Sequence, residues 1–529
     1  MSAVRAGTAT VATALVTLLL VCGAVAQEPK YGGTLIVALA SNPPGLNPNL
    51  NYATITHLVT GQIFNSLVAY DYDMKMLPEL ARSWTISPDN LTITFSLEPN
   101  VRFHDGKPLT SADVKFSIEE VAKKHHPLGP KVFGFLDRID TPDPLTAVFR
   151  MKQPYPPMLS FLAGWYASIL PKHVYEGGDI LTNPANLKPV GSGPFVFKEY
   201  VSGSHVTVEK NPNYWRKGRP YLDRIVFKIA PDENARVIAI ERGELDLQGY
   251  YGFPFSALAR LQRVPGLKVE FDPNPFASAL WAPINLRNPI LSKVEVRRAL
   301  AHAINKEDIL QKAMFGSGKV AVSPIPSDLA WAYNAKVKQY AYDPAEANRL
   351  LDRAGHPRAA DGIRFKLNIY FDGGRQAHRK AAEIMRENLR AVGIDLDLRG
   401  TEMGSMMDAI YKSWSFDLGL HEVAMGPDPA VGTARLYTTD QIVKVPFANG
   451  MGYSNQEVDK LFADAAQAAD RRKRAELYGR IQEILVQDLP ALWLVEVPTP
   501  NLFRTDFVGL PAGPFRDERF DNVWWTKGK

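Results

Sequence analysis

Strand-like and helix-like segments alternate along most of the 529 residues, and this alternation restricts the fold more than any other feature. Short runs with period-2 alternation or many β-branched and aromatic residues predict strands at 33–40, 91–97, 146–151, 224–230, 267–271, 365–371 and 490–497. Apolar residues at helical spacing predict helices between them, at 234–243, 293–304, 378–393 and 475–488. A chain of this length can form two or three cores, so we expect α/β architecture in more than one lobe.

The N-terminus has the pattern of an export signal. Arg5 is the only charged side chain in residues 1–26, and it is followed by an apolar run at 11–21 and by small residues at 24–26. We therefore expect a signal peptide that is cleaved near Ala26, a mature chain that begins near Gln27 and a periplasmic location.

Cys22 is the only cysteine, so cleavage would leave a mature protein without disulfides, thiol catalysis or cysteine metal sites. Two alternatives to cleavage remain open. A membrane anchor is disfavoured because the apolar run is shorter than the ~20 residues that a span needs. Lipid attachment at Cys22 is disfavoured because Val21 precedes it, where such sites usually have a small residue.

The segment "RFHDGKPLTSADVKF" at 102–116 places a histidine beside an aspartate, which is compatible with acid/base chemistry or with a turn. Asp105-Gly106 is a turn signal, and Thr110 followed by Asp113 resembles a capping box ahead of a helix. Neighbours on an extended strand point to opposite faces. We therefore expect His104 to be a turn residue without a catalytic role.

Other enzyme and nucleic-acid signatures are incomplete. "HEVAM" at 421–425 lacks the second histidine of a zinc-protease motif, and "GSGPF" at 191–195 lacks the lysine of a phosphate-binding loop. The glycines of "GSGPF" are therefore expected in a turn that leads into a strand. The net charge is +5, and like charges do not cluster in long runs, so no nucleic-acid partner is expected.

Three long segments, at 77–119, 191–247 and 294–310, resemble the oligopeptide, dipeptide and nickel group of extracellular solute-binding proteins, family 5. The likeness continues in order from Tyr31 to about Trp525. It implies an α/β periplasmic-binding-protein fold (type II, cluster C) with two hinged lobes and an extra subdomain inserted in lobe I. It also implies a receptor that delivers a small solute to the membrane permease of an ABC importer, which recognises the closed form. We expect a monomer without a cofactor.

By the same resemblance we expect the chain to divide as follows: lobe I at 27–65, 190–274 and 498–529, an inserted subdomain at 66–189, and lobe II at 275–497.

The resemblance also bears on the ligand. Peptide-binding relatives have an aspartate for the ammonium group at the position of Met425 and a tryptophan at the position of Glu422. An arginine that binds the carboxylate of dipeptides falls near Asp372, and Arg375 replaces it if the alignment shifts. A buried ammonium without a carboxylate partner is costly, so a free dipeptide is disfavoured.

The candidate ligand-binding residues share positions in loops at strand ends or at the hinge: Asn42, Tyr250, Tyr251, Trp281, Arg375, Glu422, Met425 and Asp428. The aromatic residues would stack on a ring or sugar, and the charged residues would hold polar ends. Each has a structural alternative, namely core packing for the aromatic residues and methionine, and solvation or capping for the acids.

We therefore expect a receptor for a peptide-like, opine-like or oligosaccharide-like solute that is not an enzyme. Four alternatives remain open: an oligopeptide or dipeptide receptor, a carrier of a nickel complex, an exported hydrolase, and a non-transport receptor on the same fold.

Overall fold

The structure is a computed structural model that describes residues 28–51, 53–70, 75–164, 167–249, 253–272, 278–426, 428–510 and 519–529. Its strands, in chain order, are β1 Thr34–Leu39, β2 Val68–Tyr70, β3 Met76–Pro78, β4 Ala81–Ile86, β5 Thr92–Leu97, β6 Leu136–Asp143, β7 Thr146–Met151, β8 Phe195–Val201, β9 His205–Lys210, β10 Arg224–Ile229, β11 Leu247–Gln248, β12 Leu267–Asp272, β13 Ser278–Pro283, β14 Lys319–Val320, β15 Phe365–Asp372, β16 Ile394–Thr401, β17 Leu418–Ala424, β18 Ala491–Val497, β19 Thr499–Arg504, β20 Phe507–Val508 and β21 Trp524–Trp525.

The α-helices are α1 Thr54–Thr60, α2 Ser111–Lys115, α3 Lys123–His125, α4 Gly129–Val132, α5 Met158–Phe161, α6 Lys172–Tyr175, α7 Glu233–Glu241, α8 Leu258–Leu261, α9 Val294–Ala303, α10 Lys306–Asp308, α11 Pro344–Arg353, α12 Gln376–Ala391, α13 Met403–Met407, α14 Ala434–Tyr437, α15 Gln456–Gln467 and α16 Arg471–Asp488. A π-helical segment, Phe116–Ala122, joins α2 to α3.

Within the described residues, three sheets of four or more strands organise these elements, beside the two-stranded sheets β2-β3 and β20-β21. Sheet A has seven strands in the order β12-β19-β11-β1-β10-β9-β8, with β1 parallel to both β10 and β11. Sheet B has six strands in the order β14-β18-β13-β17-β15-β16, and sheet C is the antiparallel sheet β4-β5-β7-β6. We call sheet A with its packed helices the first lobe and sheet B with its helices the second lobe.

The predicted strands and helices are confirmed, with bounds that differ by one or two residues in most cases. The exception is α16, which begins four residues before the predicted start, at Arg471. Asp470 caps this helix by accepting hydrogen bonds from the backbone N–H groups of Arg472 and Lys473. The first turn is entirely basic, so it has no apolar periodicity from which a helix can be predicted.

The central strands of sheet B are buried on both faces. All six residues of β13 and all seven of β18 are buried, because strands border them on both sides and helices cover the sheet. β15 instead alternates buried inner residues with more exposed ones, and α12 packs against it through Ala381, Met385 and Leu389.

Two adjacent chain crossings connect the lobes. β12 and β19 pair in sheet A, and β13 and β18 pair in sheet B. Asp272 lies opposite Thr499, and Ser278 lies opposite Val497, so the chain leaves sheet A after Asp272, enters sheet B by Ser278 and returns to sheet A at Pro498. Residues 273–277 lie outside the described part of the chain.

The predicted turn at His104 is confirmed. The Gly106 N–H donates to the Phe103 carbonyl, and Gly106 has φ +86°, which favours glycine. The capping box is also present, because Thr110 and Asp113 cap α2 reciprocally.

The glycines of "GSGPF" lie in the turn before β8, as expected. A Cβ on Gly191 would come within 1.9 Å of the Ile63 carbonyl oxygen, so only glycine fits there. Within the described residues, no helix has the length and apolar character to cross a membrane.

Candidate functional site

The candidate site lies where the loops after β15 and β17 of the second lobe approach the first lobe and sheet C. The apolar cluster of sheet C includes Ala430, Val431 and Ala466 from the second lobe. Lys131 donates a hydrogen bond to the Thr438 hydroxyl across the same boundary at 3.1 Å. The two parts of the chain are therefore in direct contact beside the site.

Glu422 is the central charged group. It lies near the end of β17, and its Oε2 accepts a hydrogen bond from Nη1 of Arg375 at 3.0 Å. Its Oε1 lies 3.6 Å from Nε2 of His378, which is in the first turn of α12. Burial tends to raise the pKa of Glu422, but Arg375 and His378 outweigh it and lower that pKa to about 2. Glu422 is therefore a carboxylate with a compensated charge.

Charges also face each other across the two lobes. Glu233, the first residue of α7, lies close enough to Arg375 and Arg379 for their charges to act on it. Burial raises the pKa of Glu233, and the nearby arginines, with Arg236, lower it in part. Arg375 thus acts electrostatically on an acid of the first lobe and on an acid of the second.

The loop that follows β17 closes tightly. Met425 is fully buried, and its carbonyl oxygen accepts a hydrogen bond from the Thr433 hydroxyl at 3.4 Å. A Cβ on Gly432 would come within 1.9 Å of that oxygen. Met425 therefore packs in the apolar core, and its side chain has no counter-charge to offer a cation.

Asp428 is in a buried ion pair. Nη2 of Arg474 approaches its two carboxylate oxygens at 2.6 and 2.7 Å, and the Tyr478 hydroxyl donates to it at 3.3 Å. Asp428 also accepts from the Ala430 N–H at 2.9 Å. Its charge is compensated within the protein, so it orders this loop.

Arg435 holds the same loop from within. Its guanidinium donates to the carbonyls of Ala424 at 3.0 Å, Gly432 at 3.1 Å and Phe447 at 2.6 Å. Sequence reasoning did not identify Arg435, Arg474 or His378, because each lies in an ordinary stretch of mixed polarity.

Two of the predicted site residues have structural surroundings that differ from a ligand contact. Trp281 is only 1% exposed, and its ring packs edge-on against His421 and Tyr437 in the core of the second lobe. A solute cannot stack on it in this conformation. Asn42 is exposed, and its Oδ1 accepts from the Gly203 N–H at 2.7 Å, so it fastens the turn between β8 and β9.

Of the other predicted residues, the structure brings Arg375 and Glu422 together, with Met425 and Asp428 on the loop that follows β17. Tyr250 and Tyr251 lie outside the described residues.

Sequence reasoning also missed three buried polar side chains of the first lobe, namely Gln248 at the end of β11 and Thr499 and Asn501 on β19 beside the hinge. Their signal is a polar residue inside an apolar strand pattern. Within the described ranges, no group of three or more His, Cys, Asp or Glu side chains is arranged to hold a metal ion. The acids Glu422 and Asp428 of this region are each paired with an arginine of the second lobe.

Comparisons with known proteins agree with this architecture. The sequence is 26% identical over 519 residues to the oligopeptide-binding protein AppA of Bacillus subtilis, which covers 94% of this chain and 93% of the relative. It is 27% identical over 490 residues to the glutathione-binding protein GsiB of Pectobacterium atrosepticum, with 90% and 91% covered.

Solved structures are similar over almost the whole length. AppA of Bacillus subtilis in complex with a nonapeptide has a TM-score of 0.85 at 24% identity and covers 94% of this chain and 100% of its own, which supports the two-lobed fold. AgaA of A. tumefaciens R10, in complex with agropinic acid, has a TM-score of 0.81 at 25% identity, with 93% and 99% covered.

The sequence profile of the bacterial extracellular solute-binding proteins, family 5 Middle, matches residues 75–443, which is well over half of the chain. This chain belongs to the family 5 bacterial extracellular solute-binding proteins.

Proposed function

We propose that this receptor captures a peptide-like, opine-like or oligosaccharide-like solute whose recognised end is not a free amino group. Family 5 proteins are solute-binding receptors of ABC importers, and this role extends to the present chain. The relatives named above bind oligopeptides, glutathione and agropinic acid, so membership of the family leaves the choice of solute to the residues of the cleft.

The observation that carries the proposal is that two acids, one near the end of β17 and one in the loop that follows it, are each paired with an arginine. Glu422 is paired with Arg375, and Asp428 is paired with Arg474. Met425, at the position where the resemblance places the ammonium partner, is buried and uncharged. An ammonium group there would lose its hydration without gaining a counter-charge, at a cost of several kcal/mol.

The proposal also covers the location, the oligomeric state and the lack of enzymatic activity, in line with the family. The protein acts in the periplasm as a monomer after removal of its signal near Ala26, it is not an enzyme, and it binds no nucleic acid. We also propose that the lobes divide at the bounds given under the sequence analysis. Among the candidate residues, we propose Arg375 and Glu422 as ligand contacts and keep Tyr250 and Tyr251 as aromatic candidates.

Titration calorimetry with free dipeptides and tripeptides tests the proposal. We expect no dissociation constant below about 100 μM, equivalent to roughly −5.5 kcal/mol. Submicromolar binding of a free dipeptide that disappears when its amino group is acetylated would overturn the proposal.

A matched pair of variants sharpens this test. Met425→Asp supplies a carboxylate where peptide-binding relatives have one, and Met425→Asn has the same size without the charge. Dipeptide binding should increase in the aspartate variant alone, by about tenfold or more for a buried charge pair. Thermal unfolding of both variants shows whether the buried substitution has damaged the fold.

A further inference from the structure

A cavity of about 610 Å³ lies between the two lobes beside the hinge. Its first-lobe wall is formed by residues 255–262, which include α8, and by Phe271 of β12. Its second-lobe wall is formed by the segment 315–319, by Asp328 and by the end of β18. We call it the hinge cavity. Its volume is in the range of small-molecule sites, which are frequently found between domains.

The hinge cavity is separate from the candidate site for the transported solute. β12 is an edge strand of sheet A, and β14, which begins at Lys319, is an edge strand of sheet B. Two strands, β18 and β13, lie between β14 and β17 in sheet B. The described residues of the loops after β15 and β17 do not line the cavity. A molecule bound here therefore occupies a different place from a solute at Arg375 and Glu422.

Three phenylalanines line the hinge cavity, one or two from each lobe: Phe255, Phe271 and Phe315. Phe271 is 43% exposed and Phe315 is 46% exposed, although large apolar side chains are usually buried in a core. Phe315 also has φ +52°, a backbone conformation that is rare for a bulky residue. The fold thus keeps an exposed aromatic ring at the cavity at a conformational cost, which is typical of binding sites.

Glu496 of β18 brings a buried negative charge to the same cavity. It is 7% exposed, and its carboxylate accepts hydrogen bonds from the Ser327 N–H at 3.0 Å and the Ser327 hydroxyl at 2.6 Å. Lys319 forms its ion pair with Asp328, at 3.3 Å, and no described cationic side chain pairs with Glu496. Burial raises the pKa of Glu496, and the Ser327 bonds lower it only in part. A buried carboxylate is usually paired with a cation, and this one can accept further hydrogen bonds.

The charges and rings of the hinge cavity favour one class of ligand. Its charged lining residues are Lys319, Asp328 and Glu496, one positive and two negative, which leaves one negative charge. The faces of aromatic rings also attract cations. An anion would be repelled by the carboxylates, and a neutral apolar molecule would leave Glu496 without a counter-charge. An ammonium group on an aromatic or apolar body matches both the charge and the rings.

We propose that the hinge cavity is a second binding site, which takes an organic cation with an aromatic or apolar body. The ammonium group of the ligand lies toward Glu496, and its body packs against Phe255, Phe271 and Phe315. The inference goes beyond the proposed function, because it concerns a ligand other than the solute of the candidate site and does not depend on the identity of that solute.

Three small molecules with the same body test the class of ligand. Phenethylamine, 2-phenylethanol and 3-phenylpropionate are a cation, a neutral molecule and an anion at neutral pH. In ligand-observed NMR titrations we expect the amine to bind about threefold more tightly than the alcohol and at least about tenfold more tightly than the carboxylate. Equal or tighter binding of the alcohol or the carboxylate would overturn the proposal, as would an amine that does not bind at about 10 mM.

Glu496→Gln places the amine in the hinge cavity. The amide keeps the size of the side chain and an acceptor for Ser327 but removes the charge. The amine should bind about fivefold more weakly, and 2-phenylethanol should change less than about twofold, whereas a damaged cavity would weaken both. The control is Glu199→Gln on β8, the opposite edge strand of sheet A, which should leave the amine within about twofold. Unchanged amine binding in Glu496→Gln would overturn the proposal.

Phe315→Asn is a second variant that decides the matter if Glu496→Gln does not fold. Asparagine adopts positive φ more readily than phenylalanine, so the melting temperature should not fall. Loss of the ring should weaken amine binding about threefold, the scale of a cation–π contact. The control is Tyr342→Asn, because Tyr342 is also 46% exposed but does not line the cavity, and it should change the affinity less than about twofold. An amine affinity that is the same in Phe315→Asn as in the wild type would overturn the site.

Discussion

At the scale of single residues, His104 forms hydrogen bonds with backbone groups and not with the aspartate beside it. Its Nδ1 accepts a hydrogen bond from the Gly191 N–H at 3.2 Å, and its Nε2 donates to the Gly193 carbonyl at 3.0 Å. Its neighbour Asp105 pairs instead with His173 at 2.6 Å. The two side chains thus bind different segments, so they form no acid/base pair, and His104 fixes the turn that leads into β8.

This placement changes the expected effect of His104→Ala. From the sequence alone, a surface turn residue predicts a loss of no more than about 1 kcal/mol. The two hydrogen bonds to a tight glycine turn instead predict a loss of about 2 kcal/mol in the free energy of unfolding, with unchanged solute affinity.

Urea unfolding of His104→Ala, with His104→Gln as a control that keeps a donor and an acceptor, measures this loss. A tenfold loss of affinity at unchanged stability would restore a functional role for His104.

At the scale of the elements, local sequence patterns predict most strands and helices. They do not predict which side chains of the candidate site come together. Glu422 and Arg375 are both candidates from the sequence, yet they are 47 residues apart, and only the parallel pairing of β15 with β17 brings them together. Trp281 is an attractive ligand contact in the sequence because nothing in its own strand shows that β17 and β18 cover it. Its burial depends on tertiary packing, which periodicity does not encode.

The paired strands that cross between the lobes form the connection at which we expect one lobe to move relative to the other. β12 with β19 and β13 with β18 continue from one lobe into the other, so we expect a small backbone change where these strand pairs meet, for example at Pro498, to rotate one sheet relative to the other. A solute that contacts both lobes favours the closed form because it binds that form better.

Small-angle scattering tests this motion. We expect the radius of gyration to fall on saturation with the tightest-binding peptide of the calorimetric titrations, from a value somewhat above the ~23 Å of a compact chain of this length. Lys131→Met removes the hydrogen bond to Thr438 that crosses the boundary, so its solute-free form should be more open than the wild type. A radius that does not change at saturation would contradict the hinge.

At the scale of the whole molecule, four histidines of the described residues are buried and have a lowered pKa. Burial lowers the pKa of His57 and of His126 to about 3, and that of His104 and of His421 to about 4. The unfolded chain keeps the ordinary value near 6.5. Below that pH the unfolded state therefore binds more protons than the native state does.

The last prediction follows from this difference in proton binding. When a histidine has a lower pKa in the native state, stability is fully present above about pH 6.5 and is lost as the pH falls toward the native pKa. Between the native pKa and about pH 6.5, each of the four histidines contributes up to about 1.4 kcal/mol per pH unit. We therefore expect the free energy of unfolding to fall steeply between about pH 6.5 and pH 5. It should change little between about pH 6.5 and pH 8. Urea unfolding followed by circular dichroism at these values measures the slope. His104→Gln, which cannot take up a proton, should have a shallower slope, by about one proton. A stability that stays constant down to pH 5 would show that the native histidines titrate as freely as those of the unfolded chain.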